Sequence, residues 1–387
     1  MTTPRLGNRM RFLKQSEIRN MTLECTRAGG INMSQGVCDT PVPDEVRRAA
    51  KAAIDEGCNI YTRYDGVPEL RAAISKKLRR MNGLDFSPDG EIVVTSGSSS
   101  AFYAVCLAIL DPGDEIVLFE PYYGYHLDTA TSLGAGARFV TLRPPEWSFS
   151  AEDLERAITP KTRAIVVCTP TNPSGKVFTE AELRVVADVA ERHDLFVVTD
   201  EIYEHFVYDG RRHLSPASLP GLRDRTITVG GFSKTFSITG WRIGFSAAKR
   251  EVAERLGFIN DLVYICAPAP LQMGVARALE RLDDGFFENL AVEYVEKRDK
   301  FCAALERAGI PPIVPQGAYY VLADTSRLRG TTSKERVLDL LERAGVAAVP
   351  GSAFYQGSGG EMLARFCYAK TDADLDEACR RLERLHA

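Results

Sequence analysis

The chain contains no stretch approaching the about 18 consecutive apolar residues that a membrane span needs, and no apolar run near its N-terminus of the secretory kind. A membrane-embedded or exported protein is therefore not expected, and a cytoplasmic one is. No CxxC pair occurs. The nine cysteines, at positions 25, 38, 58, 106, 168, 266, 302, 367 and 379, are odd in number and scattered. Several sit inside apolar runs such as Ala104-Val105-Cys106-Leu107, so they read as reduced, buried thiols and not as a disulfide framework. Histidines are few: five, dispersed, with no HExxH or similar ligand spacing, which gives no basis for a metal site. An excess of basic charge is missing too. The formal net charge of −4 argues against nucleic acid as a main partner. Internal repeats and low-complexity runs are absent.

What is present is the composition of an ordinary globular protein, 45% apolar and 26% charged, on a chain of 387 residues. That length exceeds what one core usually supports, so two domains are expected. Short β-branched runs at 91–95, 115–119, 138–142, 164–168, 196–199, 226–229 and 243–247 alternate with helical patterns at 101–110, 125–133, 151–158 and 180–193. Such alternation predicts an α/β fold with a mostly parallel sheet covered on both faces. Ligands of open α/β sheets sit beyond the carboxyl ends of the strands, which singles out the loops opening at Ser96, Glu120, Thr169, Asp200 and Gly230. The tail reads differently: a long helix at 286–308, strands at 319–323, 347–350 and 363–369, and helices at 333–344 and 372–385, giving a smaller α+β unit. One linking helix is expected from about 248 to 284.

The most informative segment is Gly231-Phe232-Ser233-Lys234-Thr235-Phe236-Ser237-Ile238-Thr239-Gly240-Trp241-Arg242-Ile243-Gly244. It places a lysine among small and apolar residues just after a buried-strand pattern, where lost hydration lowers an amine's pKa and makes it a nucleophile toward carbonyls. Arg242 offers a planar fork for a phosphate or carboxylate. A surface lysine on a glycine-rich turn is the plainer alternative. The segment resembles the lysine signature of the class I/II pyridoxal-phosphate aminotransferases of fold-type I, the aspartate aminotransferase superfamily. The resemblance spans about residues 30 to 370 and implies a seven-stranded, mostly parallel sheet with one antiparallel strand in a large domain, plus a smaller α+β domain. The divisions expected are an N-terminal arm belonging partly to the small domain at 1–45, a large cofactor domain at 46–284, and the small domain at 285–387.

The resemblance assigns roles to individual residues. Lys234 carries pyridoxal 5′-phosphate as a Schiff base and moves the catalytic proton; Arg242 clamps the phosphate. Ser96-Gly97-Ser98-Ser99-Ser100 opens a helix, where the residues alone suit either simple capping or anion binding. In similar enzymes the positions of Ser98 and Ser99 hold the phosphate, and Ser233 assists. Tyr123, in Glu120-Pro121-Tyr122-Tyr123-Gly124-Tyr125, stacks on the ring. Asn172, in Thr169-Pro170-Thr171-Asn172-Pro173, donates to the phenolic oxygen, as does Tyr203, and Asn172 also contacts the substrate. Asp200 at a strand end pairs with the ring nitrogen, while the neighbouring Glu201 points elsewhere. Arg365 lies mid-strand in Leu363-Ala364-Arg365-Phe366, and needs a partner because an unpaired buried charge is expensive. An internal salt bridge would serve; the resemblance implies the substrate α-carboxylate instead. Gly36 belongs to a strip that touches substrate through its backbone. Tyr61, in Tyr61-Thr62-Arg63-Tyr64, reaches the phosphate of the neighbouring subunit, which implies a homodimer with shared active sites. Arg63 departs from the family pattern and is expected to reach in from the partner chain to select the substrate side chain.

The function implied is ping-pong transfer of an amino group from an L-amino acid to a 2-oxo acid, with 2-oxoglutarate or pyruvate as acceptor and aspartate, aromatic, kynurenine-like or other neutral donors all open. A C–S lyase or amine oxidase on the same cofactor is the alternative. A cofactor-sensing regulator built on this fold would carry a DNA-binding domain ahead of the first matching segment, and is not expected.

Overall fold

The computed structural model describes residues 5–386. The chain opens with helix α1 (Glu17–Ala28), capped by the Ser16 hydroxyl, which accepts from the Ile18 N–H, and ended by Gly29 in the left-handed region at φ 61°. Strand β1 (Ile31–Asn32), helix α2 (Asp44–Asp55) and helix α3 (Pro68–Lys77) follow.

The large sheet is built from β2 (Ile92–Thr95), β3 (Glu115–Glu120), β4 (Gly136–Thr141), β5 (Thr162–Cys168), β6 (Phe196–Asp200), β7 (Thr226–Gly231) and β8 (Gly244–Ala247). Between them run α4 (Ser98–Ile109), α5 (Gly124–Ser132), α6 (Ala151–Ala157) and α7 (Glu180–Arg192). The last two start on reciprocal caps, Ser150 with Asp153 and Thr179 with Glu182. Strand order is β2-β8-β7-β6-β5-β3-β4. Only β8 runs antiparallel to its neighbours in this sheet. Strands β2, β7 and β8 are buried at every residue, which is why they read as continuous apolar or small-residue runs without alternation. The carboxyl ends of β2, β3, β5, β6 and β7 therefore share one rim, as expected for this α/β class.

The linking helix expected over 248–284 is two helices, α8 (Arg250–Tyr264) and α9 (Ala269–Arg281). Ile265 sits at φ 67°, and Pro268 and Pro270 remove N–H donors where one helix would have to continue. Beyond them lie α10 (Asp284–Arg307), β9 (Pro312–Ile313), β10 (Tyr320–Asp324), α11 (Ser333–Ala344), β11 (Val346–Ala347), β12 (Val349–Pro350), β13 (Leu363–Cys367) and α12 (Asp372–Glu383). The single strand expected at 347–350 is thus split. β11 pairs in parallel with β1, while β12 joins a four-stranded antiparallel sheet of order β12-β13-β10-β9. One apolar core joins Met21 and Cys25 of α1 to Phe301 of α10, Leu340 of α11, Phe366 of β13, and Tyr203 and Phe206 just beyond β6. The N-terminal helix is thereby tied to the tail of the chain, and both are tied to the rim of the large sheet. Among the described residues, no helix is long and apolar enough to cross a membrane.

Candidate active site

The shared rim faces β13 and the 34–37 strip across a cavity of about 450 Å³. Gly36, Ser98, Ser99, Tyr123, Asn172, Asp200, Tyr203, Ser233, Lys234, Arg242 and Arg365 all line it. Residues spread over 330 positions of sequence meet because parallel strands deliver their following loops to the same edge.

Lys234 follows β7 directly. Its Nζ donates to the Gly36 carbonyl at 2.8 Å, and its own carbonyl accepts from the Cys38 thiol at 3.5 Å. Burial lowers the amine's pKa, helped by the positive charges of Arg242 and Arg365 and opposed by the two nearby thiols, Cys38 and Cys367. An amine so placed is a nucleophile closer to neutrality than an ordinary lysine. Gly36 must be glycine here, since a Cβ would collide with the Tyr320 hydroxyl.

Arg242 adopts a positive φ of 58° and reaches back across the rim, donating to the Thr239 carbonyl at 3.0 Å and the Ser96 carbonyl at 3.3 Å. Its guanidinium lies over Gly97, where any side chain would strike it. Next to it α4 begins, and the first-turn N–H groups of Ser98 and Ser99 have no intrahelical carbonyl to bind. Two sources of positive potential therefore converge on one corner of the cavity.

Asp200 ends β6. One carboxylate oxygen accepts from the Ile202 N–H at 3.3 Å, and the other lies 3.1 Å from His126 Nε2. His126 is itself packed on Phe102, with ring centroids 4.4 Å apart. Glu201 turns away as expected: Thr199, Ser215 and His213 occupy its oxygens at 2.7, 2.7 and 2.8 Å. The Tyr203 hydroxyl meets that of Tyr320 at 2.9 Å, and burial pushes its pKa well above the ordinary phenol value.

Arg365 is fully buried in β13 between the Tyr320 ring (4.3 Å) and the Phe354 ring (5.1 Å). It donates to Asn172 Oδ1 at 2.9 Å and to the Ser34 carbonyl, while its Nε has no partner. Among the described residues no carboxylate pairs with it, nor with Lys234 or Arg242. With Arg19 on the outer wall, four cations among the described residues thus face one cavity whose single acid, Asp200, is held by a histidine.

Among the lining residues not singled out from the sequence, two use their own side chains to hydrogen-bond those of expected site residues, His126 with Asp200 and Tyr320 with Tyr203. His126 stands one turn beyond Tyr123 on the start of α5, a spacing that does place it on the same rim. Tyr320 is half of a Tyr319-Tyr320 doublet at the start of β10, and only strand alternation decides which of the two lines the cavity. Tyr61 lies outside this cavity, 77% exposed, between α2 and α3. Arg63 lies outside it as well; its Nε donates to Asp65 of its own chain at 2.7 Å.

The sequence matches the family model for aminotransferase class I and II over residues 28–382. The chain belongs to that family. It is an aminotransferase, and the family implies dependence on pyridoxal phosphate. It is 35% identical to aromatic-amino-acid aminotransferase 2 of Thermococcus litoralis, with 98% of each chain covered. It is 36% identical to an aspartate aminotransferase of Pyrococcus abyssi, again with 98% of each covered. The solved structure of N-succinyldiaminopimelate aminotransferase from Mycobacterium tuberculosis superposes with a TM-score of 0.95 at 35% identity, over 98% of this chain and all of the other. The family and the fold agree; the names of these relatives point to three different amino donors.

Proposed function

We propose that this aminotransferase uses pyridoxal 5′-phosphate to pass the amino group of an L-amino acid to a 2-oxo acid, 2-oxoglutarate or pyruvate, in two alternating half-reactions at one site. The observation that carries the reading is Arg365: a fully buried guanidinium with an unpartnered Nε and, among the described residues, no carboxylate, opening on the cavity that holds the Lys234 amine. Leaving such a charge unpaired is costly, so its partner is expected from the ligand.

The lining residues fit the cofactor. Arg242 with the N–H groups of Ser98 and Ser99 would hold its phosphate, with Ser233 alongside. Tyr123 would cover the ring, and Asp200, oriented by His126, would pair with its nitrogen. Asn172 has committed Oδ1 to Arg365 and so presents its amide N–H groups to the phenolic oxygen, beside the Tyr203 hydroxyl. When bound, pyridoxal phosphate supplies an aldehyde for the amino group and a ring that draws electrons from the substrate Cα. Arg365 grips the α-carboxylate in a two-pronged hydrogen bond, which fixes the Cα–H bond relative to the Lys234 amine. Lys234, its proton affinity reduced by burial, takes and returns the Cα proton. The test is incubation with a panel of L-amino acids and either oxo acid. Matched loss of donor and gain of the new amino acid is expected; release of ammonia, sulfide or peroxide without an acceptor would overturn the reading.

The same proposal includes a homodimer in which Tyr61 reaches the partner's phosphate corner. Support comes from the exposed apolar residues Ile60, Tyr61 and Leu262, at 82, 77 and 83% exposure, on neighbouring segments joined by Tyr64 packing on Phe258. Sedimentation velocity at micromolar concentration should give about twice the chain mass, and a monomer would remove the shared site. The division at 1–45, 46–284 and 285–387 is proposed on the separation of the seven-stranded from the four-stranded sheet. Nine free cysteines fit a reducing, cytoplasmic setting.

A further inference from the structure

We infer that Arg19, on the first turn of α1, is a specificity-determining residue that receives a second carboxylate at the far end of the substrate. The inference rests on reading the cavity as an amino-acid site.

Among the described residues, four cationic side chains line the cavity. Lys234, Arg242 and Arg365 answer to the amino group chemistry, the phosphate and the α-carboxylate. Arg19 answers to none of these. It stands at the solvent-facing wall, exposed, and among the described residues it has no ion-pair partner. The acid beside it, Glu17, is already engaged: Oε1 accepts from Asn20 at 3.0 Å and Oε2 pairs with Lys334 at 2.6 Å. Neighbours on the same wall, Ile18, Thr22 and Gln35, carry no charge that could neutralise a ligand anion in its place.

Its position is also electrostatically unfavourable for helix stability. A cation in the first turn of a helix meets the positive end of the backbone dipole, where an acid is the stabilising choice. An unpaired guanidinium, on the wrong end of a helix and opening on a substrate cavity, is explained by a ligand anion arriving there. A donor with a side-chain carboxylate would bridge Arg365 and Arg19, and a dicarboxylic 2-oxo acid would do the same in the return half-reaction. A single flexible, solvent-exposed arginine gives modest discrimination.

The test uses the holoenzyme and unreactive acids in matched pairs: glutarate with pentanoate, adipate with hexanoate, pimelate with heptanoate, bound competitively against the amino donor and followed by calorimetry. For the pair whose length fits, the dicarboxylate should bind about tenfold more tightly, the equivalent of ~1.4 kcal/mol. Arg19→Gln should bring that ratio close to one, and Arg19→Lys should keep part of it. A ratio near one in the unaltered enzyme for every length, or a ratio unchanged by Arg19→Gln, would overturn the inference while amino transfer stands. Failure of the unaltered enzyme to transfer amino groups from any donor would remove the reading of the cavity and the inference together.

Discussion

Lys234→Ala is expected to give a folded protein whose amino-group transfer is at least about a thousandfold slower, the upper part of the range for loss of a general acid–base group. Fold and activity separate cleanly at this position. The substitution removes one hydrogen bond, to the Gly36 carbonyl, which a cavity open to water can replace, so a loss of only about 1 kcal/mol of stability is anticipated. The effect on chemistry is of another order, because no other lining side chain offers an amine with its proton affinity lowered by burial. Single-turnover loss of the donor, with urea unfolding as the control, measures both. Turnover within tenfold of the unaltered enzyme would remove Lys234 from the reaction.

Arg365→Lys comes second, with kcat/KM for amino acids lowered about a hundredfold, or ~2.7 kcal/mol. The charge is retained, so the loss isolates the planar fork. Lysine is shorter in reach at its donors and presents a point charge, and it cannot serve Asn172, the Ser34 carbonyl and a carboxylate together as the guanidinium does. A structural role would depress all substrates alike. The discriminating measurement compares an amino acid with the corresponding amine lacking the α-carboxylate. The amino acid should lose its advantage in the variant, and an unchanged ratio would show that Arg365 holds only the fold.

Much of this was legible along the chain, and the reasons are physical. Strands buried on both faces need continuous β-branched or small residues, so six of the seven runs stood out, while the edge run at 138–142 belongs to the largely exposed β4; the loops beyond them followed from the direction of the strands. Lys234, Asn172 and Asp200 sit in such loops, within dense turn chemistry. What stayed hidden lacks a local signature. The break at Ile265 depends on one residue at positive φ ahead of a pair of prolines whose spacing also suits a helix start. His126 and Tyr320 matter through partners 74 and 117 residues away, which no window of sequence contains. Helix α1 was not foreseen, because its buried residues Met21 and Cys25 pack against elements from the other end of the chain.

The carbonyls of Ser34 and Gly36 hold Arg365 and Lys234 respectively. A shift of that strip would therefore be felt at the carboxylate grip and at the proton carrier together. Substitutions along the strip that keep its backbone path leave both links in place, because each is made by a peptide carbonyl and not by a side chain.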